Sequence, residues 1–327
     1  MTIRTATRSN RRLRRLAVAA ATSSALSLAL TAPAAAGPHY PGNIVLPTSL
    51  IAGDVGFQPE GIAVRGSTAY VTSFVDGTVV RANLRTGKVK PLVPADGDRA
   101  LGIEIVGPLL LVAGVDSGEL RIYDRATGQR VALFDVTDTG LVNDVTVAGD
   151  TAYFTDSLRA VLYALPIDGR TVGTPREIPL TGDYQLSEPA PGIFNANGVV
   201  ALDDRTLIMA QTHERPDGSG GALFKVDVTT GHTTRISVRG GDIQGPDGLV
   251  LRGRTLYAVQ HAVQTVAELR LSSGGASATL RRTLTDDALN IPTTAAFGPG
   301  RNLYVISSHF FTPPSDAVEY EIVKIDI

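Results

Sequence analysis

One short phrase recurs through this chain, and its recurrence limits the folds open to it. It reads Pro59-Glu60-Gly61-Ile62-Ala63-Val64 first, then Ala100-Leu101-Gly102-Ile103-Glu104-Ile105 and Asn143-Asp144-Val145-Thr146-Val147. It returns as Ala196-Asn197-Gly198-Val199-Val200, Pro246-Asp247-Gly248-Leu249-Val250-Leu251 and Pro292-Thr293-Thr294-Ala295-Ala296-Phe297. Each copy reads as a turn feeding a β-strand, and further β-prone runs follow it. In the first unit these are Thr68-Ala69-Tyr70-Val71-Thr72-Ser73, Thr78-Val79-Val80-Arg81-Ala82-Asn83 and Lys88-Val89-Lys90-Pro91-Leu92-Val93, punctuated by Gly66, Asp76-Gly77 and Thr86-Gly87. The Thr-Gly punctuation recurs at Thr127-Gly128 and Thr230-Gly231. No window sustains a helical period.

Unit starts at Gly61, Gly102, Asp144, Gly198, Gly248 and Thr294 lie 41, 42, 54, 50 and 46 residues apart. A four-stranded unit repeating every ~40–50 residues is the mark of a β-propeller, since no unit can bury both faces alone. The expected fold is therefore all-β: a six-bladed β-propeller. The sixth unit lacks one strand, and the run Asn43-Ile44-Val45-Leu46 is expected to supply it, closing the ring with both chain ends in one sheet. A pair of β-sandwiches would not predict the repeat.

Residues 1–36 read differently. They hold six arginines (Arg4, Arg8, Arg11, Arg12, Arg14 and Arg15) and no acid. An apolar run follows over residues 16–30, then small residues to Ala36. A positive segment, an apolar core and small residues before a cut make a secretory signal, and the run falls short of the ~20 residues that span a bilayer. The domain expectation is a signal peptide over 1–36 and a propeller over 37–327. Export by the general or the twin-arginine route fits Arg14-Arg15-Leu16-Ala17-Val18 equally well, and the mature protein is expected outside the cell, off the membrane and monomeric. Without those arginines, 24 basic residues face 32 acidic ones, a net charge near −8. Such a body argues against a nucleic-acid partner, whose phosphates need a basic footprint. With no Cys in the chain, a disulfide framework, a thiol nucleophile and Cys-ligated metal are excluded.

In a propeller the first strand of each blade lines the central channel, so equal registers ring one axis. The residue at the head of each first strand reads Glu60, Leu101, Asn143, Asn197, Asp247 and Thr293. Asp-Gly, Asn-Gly and Asn-Asp are each ordinary turn pairs. Taken as a column, Glu60, Asn143, Asn197 and Asp247 make a hard oxygen site with a charge of −2. That composition suits Ca2+, or another hard divalent cation, with room left for water and substrate; zinc is disfavoured without Cys or His in the set. Asp144 and Asp156 are expected to orient these ligands or hold water, the alternative for Asp156 being a strand cap. His213, His261 and His309 end second strands on the same mouth, either as rim hydrogen-bonding groups or as acid–base and substrate-positioning groups. His39 and His232 are expected at the surface.

These motifs together resemble the gluconolactonase and regucalcin (senescence marker protein) superfamily of six-bladed calcium propellers. Glu60 in Pro-Glu-Gly, Asn143 in Asn-Asp-Val-Thr-Val, Asn197 in Ala-Asn-Gly and Asp247 in Pro-Asp-Gly-Leu match that family's four-ligand pattern, on blades one, three, four and five. The resemblance implies a metal that polarises a lactone or phosphoester, with Asp247 as base or nucleophile. No counterpart of the family's substrate-binding Arg and Glu pair is found, and the inserts at 187–192 and 216–221 are the lid candidates. The expected activity is calcium-dependent hydrolysis of small lactones or related esters. The alternatives are a non-catalytic binding propeller with structural calcium, and a lyase or synthase of the strictosidine-synthase-like or streptogramin-lyase-like type. No Gly-x-Ser-x-Gly elbow, phosphate loop or dinucleotide fingerprint occurs.

Overall fold

The computed structural model describes residues 42–47, 56–187, 192–215 and 217–327. The expected signal peptide, His39 and most of the 187–192 insert lie outside them, as does Pro216. Six sheets, each built on an antiparallel meander from channel to periphery, form a six-bladed β-propeller. The first strands are Pro59–Arg65, Ile103–Val106, Val142–Ala148, Ala196–Asp203, Pro246–Arg252 and Pro292–Phe297. The second strands are Thr68–Ser73, Leu109–Ala113, Thr151–Asp156, Thr206–Gln211, Thr255–Gln260 and Asn302–Ser307. Among the described residues no helix is long and apolar enough to cross a membrane.

The ring closes as the missing sixth-blade strand requires. Ile44–Leu46 runs antiparallel to Tyr320–Asp326, with Ile44 opposite Ile322 and Leu46 opposite Tyr320. This outermost strand comes from the other end of the chain, so its pairing joins the termini of the propeller within one sheet. Blades four and five gain something the repeat did not indicate. Thr181–Gly182 adds a parallel strand beside His232–Arg235, and Ser237–Arg239 does the same beside Ser277–Leu284. Both belong to connections entering the blade they flank, and they cover an edge that would otherwise offer unpaired N–H and C=O groups.

Six apolar clusters fill the six seams between neighbouring blades. Because side chains alternate across a strand, each second strand feeds two seams at once. Leu109 and Leu111 face blade three, while Leu110 and Val112 face blade one. Leu207 and Met209 pack toward blade three, Ile208 and Ala210 toward blade five. Burial on both faces explains why Leu109-Leu110-Leu111-Val112 is continuously apolar where a half-exposed strand would alternate.

Candidate functional site

In five blades the residues of the recurring phrase lie inside their strands rather than in turns ahead of them; in blade two Leu101 and Gly102 still precede the strand, which begins at Ile103. In blade one Pro59 pairs with Ser73 and Ile62 with Val71, so Glu60 and Gly61 together oppose Thr72. The same two-against-one bulge holds Asn143 and Asp144, Asn197 and Gly198, Asp247 and Gly248, and Thr293 and Thr294. A bulge bends the strand and re-aims its side chains; Glu60, Asn143, Asn197 and Asp247, each the first residue of its pair, reach one cavity, whereas Thr293 bonds the Glu60 carbonyl.

The glycines of the phrase are likewise not turn glycines. Gly61, Gly102, Gly198 and Gly248 all lack the positive φ that would demand glycine. What demands it is the next blade. A Cβ on Gly198 would overlap the Asp247 carbonyl oxygen, one on Gly61 the Leu101 carbonyl oxygen, and one on Gly248 the side chain of Thr294. Near the axis the blades converge until backbone meets backbone, and only a hydrogen fits.

Two hydroxyls settle how the asparagine amides point. Ser157 Oγ donates to the Ala196 carbonyl at 2.6 Å, and Thr212 Oγ1 donates to the Pro246 carbonyl at 2.8 Å. Each hydroxyl has one proton and has used it, so it can only accept from the amide beside it. Asn143 therefore presents Nδ2 to Ser157 (2.8 Å) and Asn197 presents Nδ2 to Thr212 (2.9 Å). Both amide oxygens are left on the other side. Asn143 Oδ1 is buried without a hydrogen-bond partner, and so is Asp247 Oδ1.

Glu60, Asn143, Asn197 and Asp247 line one cavity of about 300 Å³. Burial holds the Glu60 carboxyl well above its usual range, and the charges of Asp247 and Asp144 push it further. Asp247 is raised likewise, by burial and then by Asp144, with the Asn197 side chain acting the other way. Two buried carboxyls, one of them with an orphaned oxygen, and one orphaned amide oxygen in one cavity form a donor set short of positive charge. Among the described residues no group of three or more His, Asp or Glu could hold a metal ion by itself. A cation here would need the asparagine oxygens, and so would be an oxygen-preferring one such as calcium.

Asp144 and Asp156 divide. Asp144 accepts from its neighbour Val145 N–H (2.8 Å) and from Val199 N–H of the next blade (3.0 Å), tying blade three to blade four. Burial pushes it up to about 6, and its charge acts on both Glu60 and Asp247. Asp156 has no such part. Its Oδ1 accepts from Leu141, Leu158 and Arg159 N–H and its Oδ2 from the Tyr163 hydroxyl, so the carboxylate is consumed in capping the strand end.

The three histidines differ in their surroundings. His261 directly follows its second strand, in the place that Ser157 and Thr212 hold in blades three and four. Its Nδ1 lies 3.7 Å from Asp247 Oδ2 and has no hydrogen-bond partner. His213 sits one residue later; its ring is edge-on to His261, its Nδ1 accepts from Phe194 N–H at 2.9 Å, and it also lines the cavity. Burial holds both below the usual range, His261 at about 4. His309 is not among the lining residues, and its ring packs edge-on against Tyr320.

Register along the sequence puts Phe74, at the end of a second strand, on the mouth; sequence reasoning missed the other cavity walls, built by Phe194 and Phe310 with Val115, Leu141 and Ile291. Phe74 follows its second strand at the same register as Ser157. Gly220 and Gly221 of the second insert border a separate cleft of about 600 Å³, which Glu214, Arg215 and Arg235 also line.

No protein-family profile matches this sequence, and no curated protein matches it. Solved structures do resemble it. The allergen Mala s 1 from Malassezia sympodialis superposes with a TM-score of 0.63 at 14% identity, covering 88% of this chain and 97% of that one. The PQQ-bound aldose sugar dehydrogenase from Streptomyces coelicolor gives 0.58 at 15% identity, over 88% and 99%. A catalytically inactive virginiamycin B lyase from Staphylococcus aureus, with quinupristin, gives 0.56 at 15% identity, over 80% of each chain. At such identities the likeness is one of fold.

Proposed function

We propose that Glu60, Asn143, Asn197 and Asp247 hold a hard divalent cation, calcium by preference, and that the protein is an exported hydrolase of lactones or related esters. The observation that carries this reading is the pair of orphaned oxygens, Asn143 Oδ1 and Asp247 Oδ1, in a cavity where burial and neighbouring negative charge oppose ionisation of both Glu60 and Asp247. A bound cation would neutralise that charge and polarise a substrate carbonyl. The four donors fit it; two anionic and two neutral oxygens leave positions for water and substrate. The match of these same four residues to the gluconolactonase and regucalcin pattern supports the choice of reaction.

The chain's own residues have the following parts. Asn143 and Asn197 are pre-set by Ser157 and Thr212, so they hold their oxygens in place without reorganising. Asp247, ionised, takes a proton from the attacking water. His261 Nδ1, neutral at pH 7 and facing Asp247 Oδ2, can take that proton on. His213 Nδ1 is engaged by Phe194 N–H, which leaves its other nitrogen for the substrate. In the reaction water oxygen bonds to the carbonyl carbon and the acyl C–O bond breaks. One proton goes to the leaving oxygen and the other is released from the new acid.

The test is calorimetric calcium titration of wild type against Asp247→Asn, with chelator-sensitive hydrolysis across a lactone and aryl-ester panel. Micromolar or tighter calcium binding lost in Asp247→Asn, with hydrolysis abolished by chelator, is the expected result. Calcium binding without hydrolysis leaves the binding-propeller reading instead, and no calcium binding overturns both.

A further inference from the structure

We propose that the cavity selects an apolar, ring-bearing acyl or aryl ligand and rejects a polyhydroxylated one. This rests on the hydrolase reading for its chemistry, but not for its binding step.

The four candidate ligands share the cavity with a mostly apolar lining. That lining includes Phe74, Phe194, Phe310, Val115, Leu141 and Ile291. Phe74 and Phe310 meet edge-to-face at 4.8 Å, a rigid aromatic corner. Phe311 stands 81% exposed at the rim, extending the same apolar surface outward. Most polar groups beside these walls are already engaged, His261 Nδ1 being the exception. Thr212 Oγ1 donates to Pro246 and accepts from Asn197. His213 Nδ1 is held by Phe194 N–H. The Arg99 guanidinium lies over the Phe74 ring at 5.1 Å and pairs with Asp116 at 3.4 Å. A sugar-like lactone would bury several hydroxyls against these walls with few partners, and each unpaired hydroxyl opposes binding.

Backbone conformation marks the walls independently. Val115 and Ile291 take φ of 58° and 48°, a region that β-branched residues avoid. Val115 is kept there by both hydrogen bonds of a bridge to Val142, at 3.1 and 3.0 Å. Strain of this kind persists where the surroundings over-determine it, commonly at ligand sites. Here it puts an isopropyl and a sec-butyl group on the cavity wall. The volume, about 300 Å³, is roughly twice the ~150 Å³ that houses benzene in an apolar cavity, and so takes a ring with its fused or appended lactone.

Two six-membered lactones separate the cases: dihydrocoumarin, with an apolar fused ring, and glucono-1,5-lactone, with hydroxyls around the ring. With the calcium-loaded protein, dihydrocoumarin should be favoured about a hundredfold in kcat/KM. Val115→Asn, which tolerates the same φ, and Phe310→Ser should each raise its KM about tenfold while calcium affinity holds. Equal or faster turnover of glucono-1,5-lactone, or unchanged KM in both variants, overturns the proposal. Binding of 2-naphthol, read by its own fluorescence in a chain without Trp, separates the two readings. Saturable binding weakened in both variants, with neither lactone hydrolysed, upholds the apolar site and overturns the hydrolase. No binding of 2-naphthol overturns the apolar site.

Discussion

Thr293 Oγ1 donates to the carbonyl oxygen of Glu60 at 2.8 Å, across 233 positions of sequence. The bond joins blade six to blade one at the channel and fixes the backbone from which Glu60 reaches the cavity. Blade one is stitched to blade two in a related way, through Thr72 Oγ1 to the Leu101 carbonyl at 2.6 Å. The inner ring is thus held by side-chain hydroxyls bonded to the next blade's backbone, and the candidate ligands ride on that ring.

Thr293→Val keeps the shape and removes the bond. The buried Glu60 carbonyl loses this donor, and unfolding free energy should fall by about 1–3 kcal/mol. Chemical denaturation measures it. Calcium affinity should weaken as well, since the strand carrying Glu60 is freed.

Ser157→Ala leaves the Asn143 amide and the Ala196 carbonyl without the hydroxyl they share. The amide is then free to rotate, and calcium affinity should drop about tenfold, close to 1.4 kcal/mol. Asp156→Asn, one residue away, should lower the melting temperature and leave calcium affinity unchanged, because its carboxylate serves only the strand cap. Titration calorimetry on both variants checks the contrast.

The buried ionisable groups predict how chelated protein responds to pH. Glu60 and Asp247 are raised well above their usual range, Asp144 to about 6 and Glu104 to about 7, in each case chiefly by burial. A carboxyl raised in the folded state binds more protons folded than unfolded, so its contribution is lost as pH rises toward the folded value. His213, His261 and His309 are lowered by burial and act oppositely, gaining stability as pH rises, but only up to about 6.5, where the unfolded imidazole has lost its proton. Above pH 6.5 the carboxyls alone remain. Melting temperature in chelator should fall from pH 6.5 to 8.5, and saturating calcium should flatten or reverse that slope. Thermal melts over this range, with and without calcium, decide it.

Gly198→Ala should cost about 2–4 kcal/mol, since its Cβ overlaps the Asp247 carbonyl oxygen across the seam. Gly66 is the control: it has φ +62° and nothing within 4 Å of an added Cβ, so Gly66→Ala carries only the left-handed backbone cost, about 1–2 kcal/mol. Were Gly198 a turn glycine, the two would cost alike. Equilibrium denaturation of both variants makes the comparison.

The repeat, the blade number and the closing strand were legible in the chain because they depend on local pattern. A strand flanked by turns announces itself within a few residues, and six copies at a regular interval leave one architecture. Glu60, Asn143, Asn197 and Asp247 were legible for the same reason: equal registers in a ring must meet, and the cavity does hold all four. Three-dimensional packing alone decided the rest. Whether Asn-Gly is a turn or a bulge pressed against the next blade depends on how closely two strands approach, which no local spacing encodes. Asp156 and Asp144 are both acids in blade three, yet the first is spent on three backbone N–H groups and a tyrosine while the second stays electrostatically joined to the site. The aromatic walls come from loops of different blades that meet only when the ring closes, so no single stretch of sequence carries their shape.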